Sequence, residues 1–513
     1  HVSQEASCSD HRWIRFDLQV NTVSAPPHRN PRKTDRLAYR AELANRLGRD
    51  IVPERFTGNQ HIEQGVEFLT NSIMESYHNA CPLTYPPAYS RKGQHWWGPE
   101  LERLRKRVRQ LLNRAMNTCD EGDWDLYKEA KSRFKKRIRY RKTASWRKFC
   151  NGIETGNQAN KLRKVLSSQS NNEPGSLRKP DNTMTSSRAD TEHVLLQTHF
   201  PGCSIEHEVH WEDEMITPTE ECWQVAQDTI SYAKVKWAIS SFHPYKTAGL
   251  DGVVPALLQW GDDMLIRTLT AVLRACLAYR YVPKQWREVK VIFIPKPGKA
   301  DYTDAKSFRP ISLTSFLLKT LERLCDRKLR EGALSKVPMH ENQHAYSQGK
   351  STESALHAVV DRVEGAIKDK SMCLGTFIDI EGAFDKTKFA SIRAALLRHG
   401  VNAVLTGWIG NMLTKRAVRL ASGDPQRAIV AKGCPQGGVL SPLLWNMVVN
   451  DLITTLNANH YYTIGYADDL TILISGRFAS TVFEVTQAAL RIVEKWCDNY
   501  ELSVNPTKTG LVL

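Results

Sequence analysis

The chain reads as a mixed α/β (α+β) protein with a basic, mainly helical amino-terminal part. Three observations predict this. Residues 461–465 and 470–474 are rich in apolar and β-branched side chains and flank a short polar break at 466–469, the pattern of an antiparallel hairpin. Residues 377–380 begin as an apolar strand and lead into a helical repeat with Ile392, Ala395 and Leu396 on one face, closed by Gly400. Leu101, Leu104, Val108, Leu111 and Leu112 recur at helical spacing, with Arg and Lys filling the gaps.

Size and charge narrow the function classes. With 513 residues, 41% of them apolar, the chain can bury a large core. No apolar run reaches the roughly 18 residues of a membrane-spanning helix. The eleven cysteines are scattered singly, without C-x-x-C pairs or zinc spacing, which suits reduced thiols in an intracellular protein. The formal net charge is +16, and it is concentrated: residues 101–148 hold 17 Lys+Arg against 6 Asp+Glu. A one-signed excess of that size points to a polyanion, nucleic acid first; the bland alternative is a solvated helix face.

Taken in order, residues 13–20 alternate in the manner of a strand, and Pro26, Pro27 and Pro31 mark a linker. Helices dominate from about 35 to 150. Pro99 suits a helix start, and a second basic helix is expected from about Trp124 to Phe149, joined to the first near 120–123. Residues 167–190, rich in Ser, Asn, Pro and Thr, read as a loop or disordered linker. A helix follows near Ile230, Ala233, Trp237 and Ala238, and the rest is mixed α/β.

The chemistry is expected at the hairpin. Adjacent Asp468 and Asp469 repel one another, so a fold that presents both has a cation to hold. Asp379, at the end of its strand, is the third carboxylate that would complete a site for two Mg²⁺ or Mn²⁺ ions, since hard oxygens suit these metals better than zinc. Asp385 reads as the N-cap of the helix that follows. Gly433-Cys434-Pro435-Gln436-Gly437-Gly438 forms a loop whose backbone can approach a ligand closely. A helix then starts near Ser441, burying Leu443, Leu444, Met447, Val448 and Leu452. Gln348-Gly349-Lys350-Ser351-Thr352 is not a phosphate-binding P-loop, because His344 stands where that pattern needs glycine.

From about residue 245 to 513 the chain resembles the reverse transcriptases of non-LTR retrotransposons. Tyr466-Ala467-Asp468-Asp469 is similar to their Y-x-D-D motif, the stretch from Phe377 to Asp385 to their first catalytic motif, and Pro435-Gln436-Gly437 to their nucleotide- and template-contacting loop. Arg309-Pro310-Ile311-Ser312-Leu313 and Ile294-Pro295-Lys296-Pro297-Gly298-Lys299 resemble fingers motifs. Lys246-Thr247-Ala248-Gly249-Leu250-Asp251-Gly252 resembles a further motif ahead of the fingers. Together the pieces keep the family's order.

The resemblance implies fingers and palm with an antiparallel palm sheet. It implies RNA-directed DNA polymerisation: a primer 3′-hydroxyl attacks a deoxynucleotide on an RNA template. Asp379, Asp468 and Asp469 would be metal ligands. Phe384 would be the steric gate beneath the incoming sugar, against the alternative of a core Phe. Lys296 and Arg309 would grip the triphosphate, against the alternative of solvated cations. Gln436 would contact nucleotide or template, and Lys508 would protonate the pyrophosphate.

Ser9-Asp10-His11 resembles the last motif of the apurinic-type endonuclease that precedes such polymerases. The expected organisation is therefore an endonuclease tail (1–22), a basic helical connector (23–225) and fingers plus palm (226–513, core 278–513). His1 in place of an initiator Met suggests a polyprotein fragment. The end at Leu513 suggests a missing thumb, with weak or no polymerisation unless the native protein continues. The expected partners are template RNA, primer or target DNA and deoxynucleotides, without a membrane, in cytoplasm and nucleus.

Overall fold

A computed structural model describes residues 26–48, 55–85, 96–156, 158–159, 162, 174–206, 211–214, 216–299, 301–420 and 427–513. The expected strand at 13–20 and Ser9-Asp10-His11 lie outside the described residues. The chain divides into two compact units, one holding residues 83–172, the other 29–82 and 173–513.

The first unit contains two long helices, Pro99–Thr118 and Glu121–Asn151. Pro99 sits in the opening turn, where its missing N–H removes nothing from the helix. Asp120 caps the second helix by accepting from the Asp123 amide at 3.1 Å. Buried Asp123 in turn accepts from Arg114 Nε at 3.0 Å and Thr118 Oγ1 at 2.8 Å, tying the tight connection together. Leu101, Val108, Leu111, Leu112, Tyr127 and Phe134 form the seam, the face the apolar spacing selects.

The second unit carries two sheets. Its strands are β1 (Ser204–Glu206), β2 (Glu288–Pro295), β3 (Phe308–Leu313), β4 (Met372–Glu381), β5 (Ala417–Leu420), β6 (Arg427–Ile429), β7 (Tyr462–Tyr466), β8 (Asp469–Gly476), β9 (Ser503–Val504) and β10 (Gly510–Val512). One sheet has the order β1-β6-β5-β2-β3, with β2 and β5 parallel and the other pairs antiparallel. The other has the order β9-β4-β8-β7, antiparallel throughout, and β10 also pairs with β4.

Most of the core of this unit is one large apolar cluster, with smaller ones around Val289 and Leu177. Helices Ser441–Ala458 and Ala479–Tyr500 pack against the second sheet, and helix Phe389–Arg398 packs on Ser441–Ala458, with Ile392, Leu396, Leu444, Val448, Leu452 and Val493 in the shared core. Residues 29–82, expected within the basic connector, lie in this unit too: Tyr39, Leu43, Leu69 and Ile73 are in the same cluster.

Two local expectations need correction. Of the loop or disordered linker expected over 167–190, residues 167–173 lie outside the described residues, while 174–190 hold fixed contacts and include the start of the helix Arg188–His199. Arg178 bridges Met184, and Leu177 is fully buried with Val194, Leu195, Ala305 and Phe308. Polar composition hid this, because one leucine does the anchoring. Asp385 is not an N-cap either. Gly382, at φ 69°, starts the one-turn helix Ala383–Lys386 early and places Asp385 inside it; the longer helix begins only at Phe389. Among the described residues, no helix is long and apolar enough to cross a membrane.

Candidate active site

The strand register brings the distant acids together. In the β4–β8 pair Asp469 stands directly opposite Asp379, so both occupy one end of the sheet and one face. Asp468 lies in the turn between β7 and β8, where Ala467 takes φ 58°. An alanine in the left-handed region stores strain, and its surroundings must hold it. Trp445 does so: its indole N–H donates to the Ala467 carbonyl at 2.8 Å. At the start of the turn, the Tyr466 hydroxyl accepts from Thr352 Oγ1 at 2.8 Å.

The acids feel one another. Partial burial first, then the charges of Asp468 and Asp379, raise the Asp469 carboxyl above the usual carboxylate range. Lys508, reached through the β9–β10 turn, answers part of that charge. Its ammonium lies 2.9 Å from both carboxylate oxygens of Asp379.

Asp379 and Asp469, expected as metal ligands, thus lie on paired strands, with Asp468 in the turn beside them. As the side chains stand, no three acid, His or Cys groups among the described residues are arranged to hold a metal.

The glycine-rich loop closes over the first motif by backbone contact. The Gly433 amide donates to the Thr387 carbonyl at 2.8 Å, and the Cys434 amide to the Phe384 carbonyl at 2.6 Å. A β-carbon on Gly433 would lie 2.6 Å from the Asp385 carbonyl oxygen, and Gly433 adopts φ 89°. The loop also reaches β3, where the Ser312 amide donates to the Gln436 carbonyl at 2.7 Å. The Gln436 amide group donates to Asp385 at 3.2 Å. Burial pushes the Asp385 carboxyl up to about 7, against the pull of Arg416, Lys296 and Gln436.

Phe384 is half-buried, its ring 6.5 Å from that of Trp445. It therefore packs on the core edge as well as bordering the loop. Lys296 and Arg309 sit on the β2–β3 hairpin. Lys296 donates to the Lys306 carbonyl at 2.8 Å, while Arg309 is exposed. Burial first, then Arg309, Lys299 and Lys508, hold the Lys296 ammonium pKa below its ordinary value. The sequence-predicted cations thus share one field next to Asp385.

Two site residues escaped the sequence. Trp445 reads as one more apolar residue on a buried helix face. Tyr346 sits close enough to Asp468 and Tyr466 for their charge to help burial raise its phenol. Tyr346 sits in a turn at φ 54°, just after the bridge that sets Gln343 beside Gly465 of β7, with the His344 amide donating to the Gly465 carbonyl at 2.9 Å.

In the first unit, the two basic helices enclose a groove of about 670 Å³ lined by Glu100, Arg103, Leu104, Arg133, Lys136, Arg137 and Tyr140. Its single acid, Glu100, is ion-paired with Arg137 at 2.7 Å, so the remaining lining is net positive.

Residues 294–513 match the family model described as reverse transcriptase (RNA-dependent DNA polymerase). Along the whole chain there is similarity to curated proteins. A probable RNA-directed DNA polymerase from transposon BS of Drosophila melanogaster is 26% identical over 98% of this chain and 56% of its own length. A retrovirus-related Pol polyprotein from the type-1 retrotransposable element R1 of Bradysia coprophila is 24% identical over 100% of this chain and 51% of its own. The RNA-directed DNA polymerase from the mobile element jockey of Drosophila melanogaster is 26% identical over 55% of this chain and 31% of its own. The chain spans about half the length of the first two.

Proposed function

We propose that this chain, whose residues 294–513 are a reverse transcriptase domain of the non-LTR retrotransposon kind, is an RNA-directed DNA polymerase. The observation that carries the proposal is the pairing of Asp379 with Asp469 across two strands, with Asp468 in the adjoining turn.

In this reading the sheet β9-β4-β8-β7 and the helices behind it form the palm, and the β2–β3 hairpin belongs to the fingers. Residues 226–513 are the polymerase, 23–225 a basic connector, and 1–22 the tail of an endonuclease. The protein works inside the cell, in cytoplasm and nucleus. Asp379, Asp468 and Asp469 would hold two Mg²⁺ or Mn²⁺ ions. Bound there, the ions lower the pKa of the attacking primer hydroxyl and neutralise charge on the departing pyrophosphate.

The chain's own residues supply the rest. Arg309 and Lys296 receive the triphosphate by charge-assisted hydrogen bonds. The Phe384 ring lies beneath the deoxyribose and leaves no room for a 2′-hydroxyl. Gln436 orients nucleotide and template. Lys508, which lies 2.9 Å from Asp379, would give its proton to the departing pyrophosphate. Positioning and electrostatics then provide most of the rate. The basic helices Pro99–Thr118 and Glu121–Asn151 bind element RNA or target DNA, chiefly through phosphates.

Primer extension on an RNA template tests the proposal. With Mg²⁺ and deoxynucleotides the primer should lengthen, and Asp468→Ala should abolish extension. Extension that survives Asp468→Ala would refute the assignment.

A further inference from the structure

The loop at 433–440 is held by more than its neighbours' backbone. Three ionisable side chains from three different elements each grip one point of it. Arg416, just before β5 and only 4% exposed, donates Nη2 to the Gly433 carbonyl at 2.9 Å. Asp385 holds the middle, accepting from the Gln436 side chain. Glu322, on the helix Phe316–Glu331 and 1% exposed, accepts from the amides of Val439 and, at 3.1 Å, Leu440.

Val439 and Leu440 lie where the helix Ser441–Ala458 begins, and the capping residue Leu440 has no side chain that can satisfy the free amides there. The Glu322 carboxylate takes that role from another helix. Arg416 lies in the field of Asp385 and Glu322, and Glu322 faces Lys319 as well as Arg416.

Burying a carboxylate and a guanidinium costs several kcal/mol per ion unless hydrogen bonds compensate, and apolar residues of equal size would often fold as well. The return here is geometric. Both ends of the loop are fixed, so the backbone between them cannot slide.

We propose that Glu322 and Arg416 are positioning residues for nucleotide incorporation: they clamp the two ends of the 433–440 loop so that Gln436 meets the incoming nucleotide and template at a fixed height. This rests on the polymerase reading above. It assigns a role to two side chains that touch neither substrate nor metal.

Two measurements on the full chain test it. The first is amide hydrogen exchange, which needs no catalysis. In the unmodified protein the Val439 and Leu440 amides should be strongly protected. Glu322→Ala should speed their exchange about tenfold or more, as expected for losing a hydrogen bond to a charged group. Glu322→Gln, which keeps an acceptor oxygen, should restore most of the protection.

The second is steady-state primer extension. Glu322→Ala should raise KM for the deoxynucleotide about tenfold while kcat falls less, and Glu322→Gln should recover much of the loss. A purely structural role would lower thermal stability and leave KM of the folded enzyme unchanged. Should Glu322→Ala not fold, the unmodified protein and Glu322→Gln still decide the matter. Freely exchanging Val439 and Leu440 amides in the unmodified protein would overturn the clamp. A Glu322→Ala enzyme with unaltered KM would overturn its role in positioning. If the unmodified protein extends no primer, the polymerase reading fails while the exchange result still judges the clamp.

Discussion

Gly433→Ala is a demanding probe of the loop. An alanine there must adopt φ 89°, and its β-carbon would lie 2.6 Å from the Asp385 carbonyl oxygen and 2.7 Å from that of Phe384. The backbone conformation alone disfavours alanine by about 1–2 kcal/mol. The contacts add overpacking of about 1–3 kcal/mol, because both partners are backbone atoms that cannot rotate aside. Relief requires stretching the Gly433–Thr387 and Cys434–Phe384 hydrogen bonds. The expected destabilisation is therefore about 2–5 kcal/mol, read as a shift of the urea midpoint at constant slope. Gly410→Ala is the matched control. Gly410 lies within the helix Ala403–Thr414, and an added β-carbon meets nothing within 4 Å. There alanine should stabilise by up to about 1 kcal/mol. If Gly433→Ala shifts stability by less than about 1 kcal/mol, the close approach of loop and first motif is misdescribed.

Three further outcomes are expected. Asp469→Asn should stabilise the metal-free protein at pH 7 by roughly 0.2–1 kcal/mol, because it removes a like charge facing Asp379 across the strands. The Asp469 carboxyl is raised in the fold, so its contribution is favourable below the unfolded value of about 3.9 and is lost as pH rises through the folded one. The advantage of Asn should thus shrink toward acid pH in urea titrations, and a constant or inverted difference would count against the clustering. Phe384→Ala should admit ribonucleotides, raising their kcat/KM relative to deoxynucleotides in primer extension; an unchanged ratio would reduce Phe384 to a packing residue. Arg133→Ala combined with Lys136→Ala should lower the salt slope of RNA binding by about two, measured by filter binding between low and moderate salt, and an unaltered slope would remove the groove from the interface.

Much of this site was legible in the sequence because strands announce themselves locally. The apolar and β-branched runs flanking the polar break at 466–469 marked the hairpin, and the apolar lead into Asp379 marked a further strand, which pairs with it. What stayed hidden depends on long-range contact or on one unusual backbone angle. Gly382 turns the chain early, so Asp385 became a partner of Gln436 instead of a cap. Trp445 looks like core until the Ala467 carbonyl is found against its indole. Glu322 did leave a trace: it lies on the same helical stripe as buried Leu318, Leu321, Cys325 and Leu329, where a charge is unexpected. Arg416 left none, because its partners come from separate parts of the chain. The Lys508–Asp379 ion pair could not be read either, since it joins residues 129 positions apart.

The most direct measurement counts bound Mn²⁺ by electron paramagnetic resonance, with primer–template and a non-hydrolysable deoxynucleotide present. The account predicts about two ions per chain, and loss of both in an Asp379→Asn, Asp469→Asn variant that remains folded. Equal Mn²⁺ binding by that variant, or none by the unmodified protein, would contradict it.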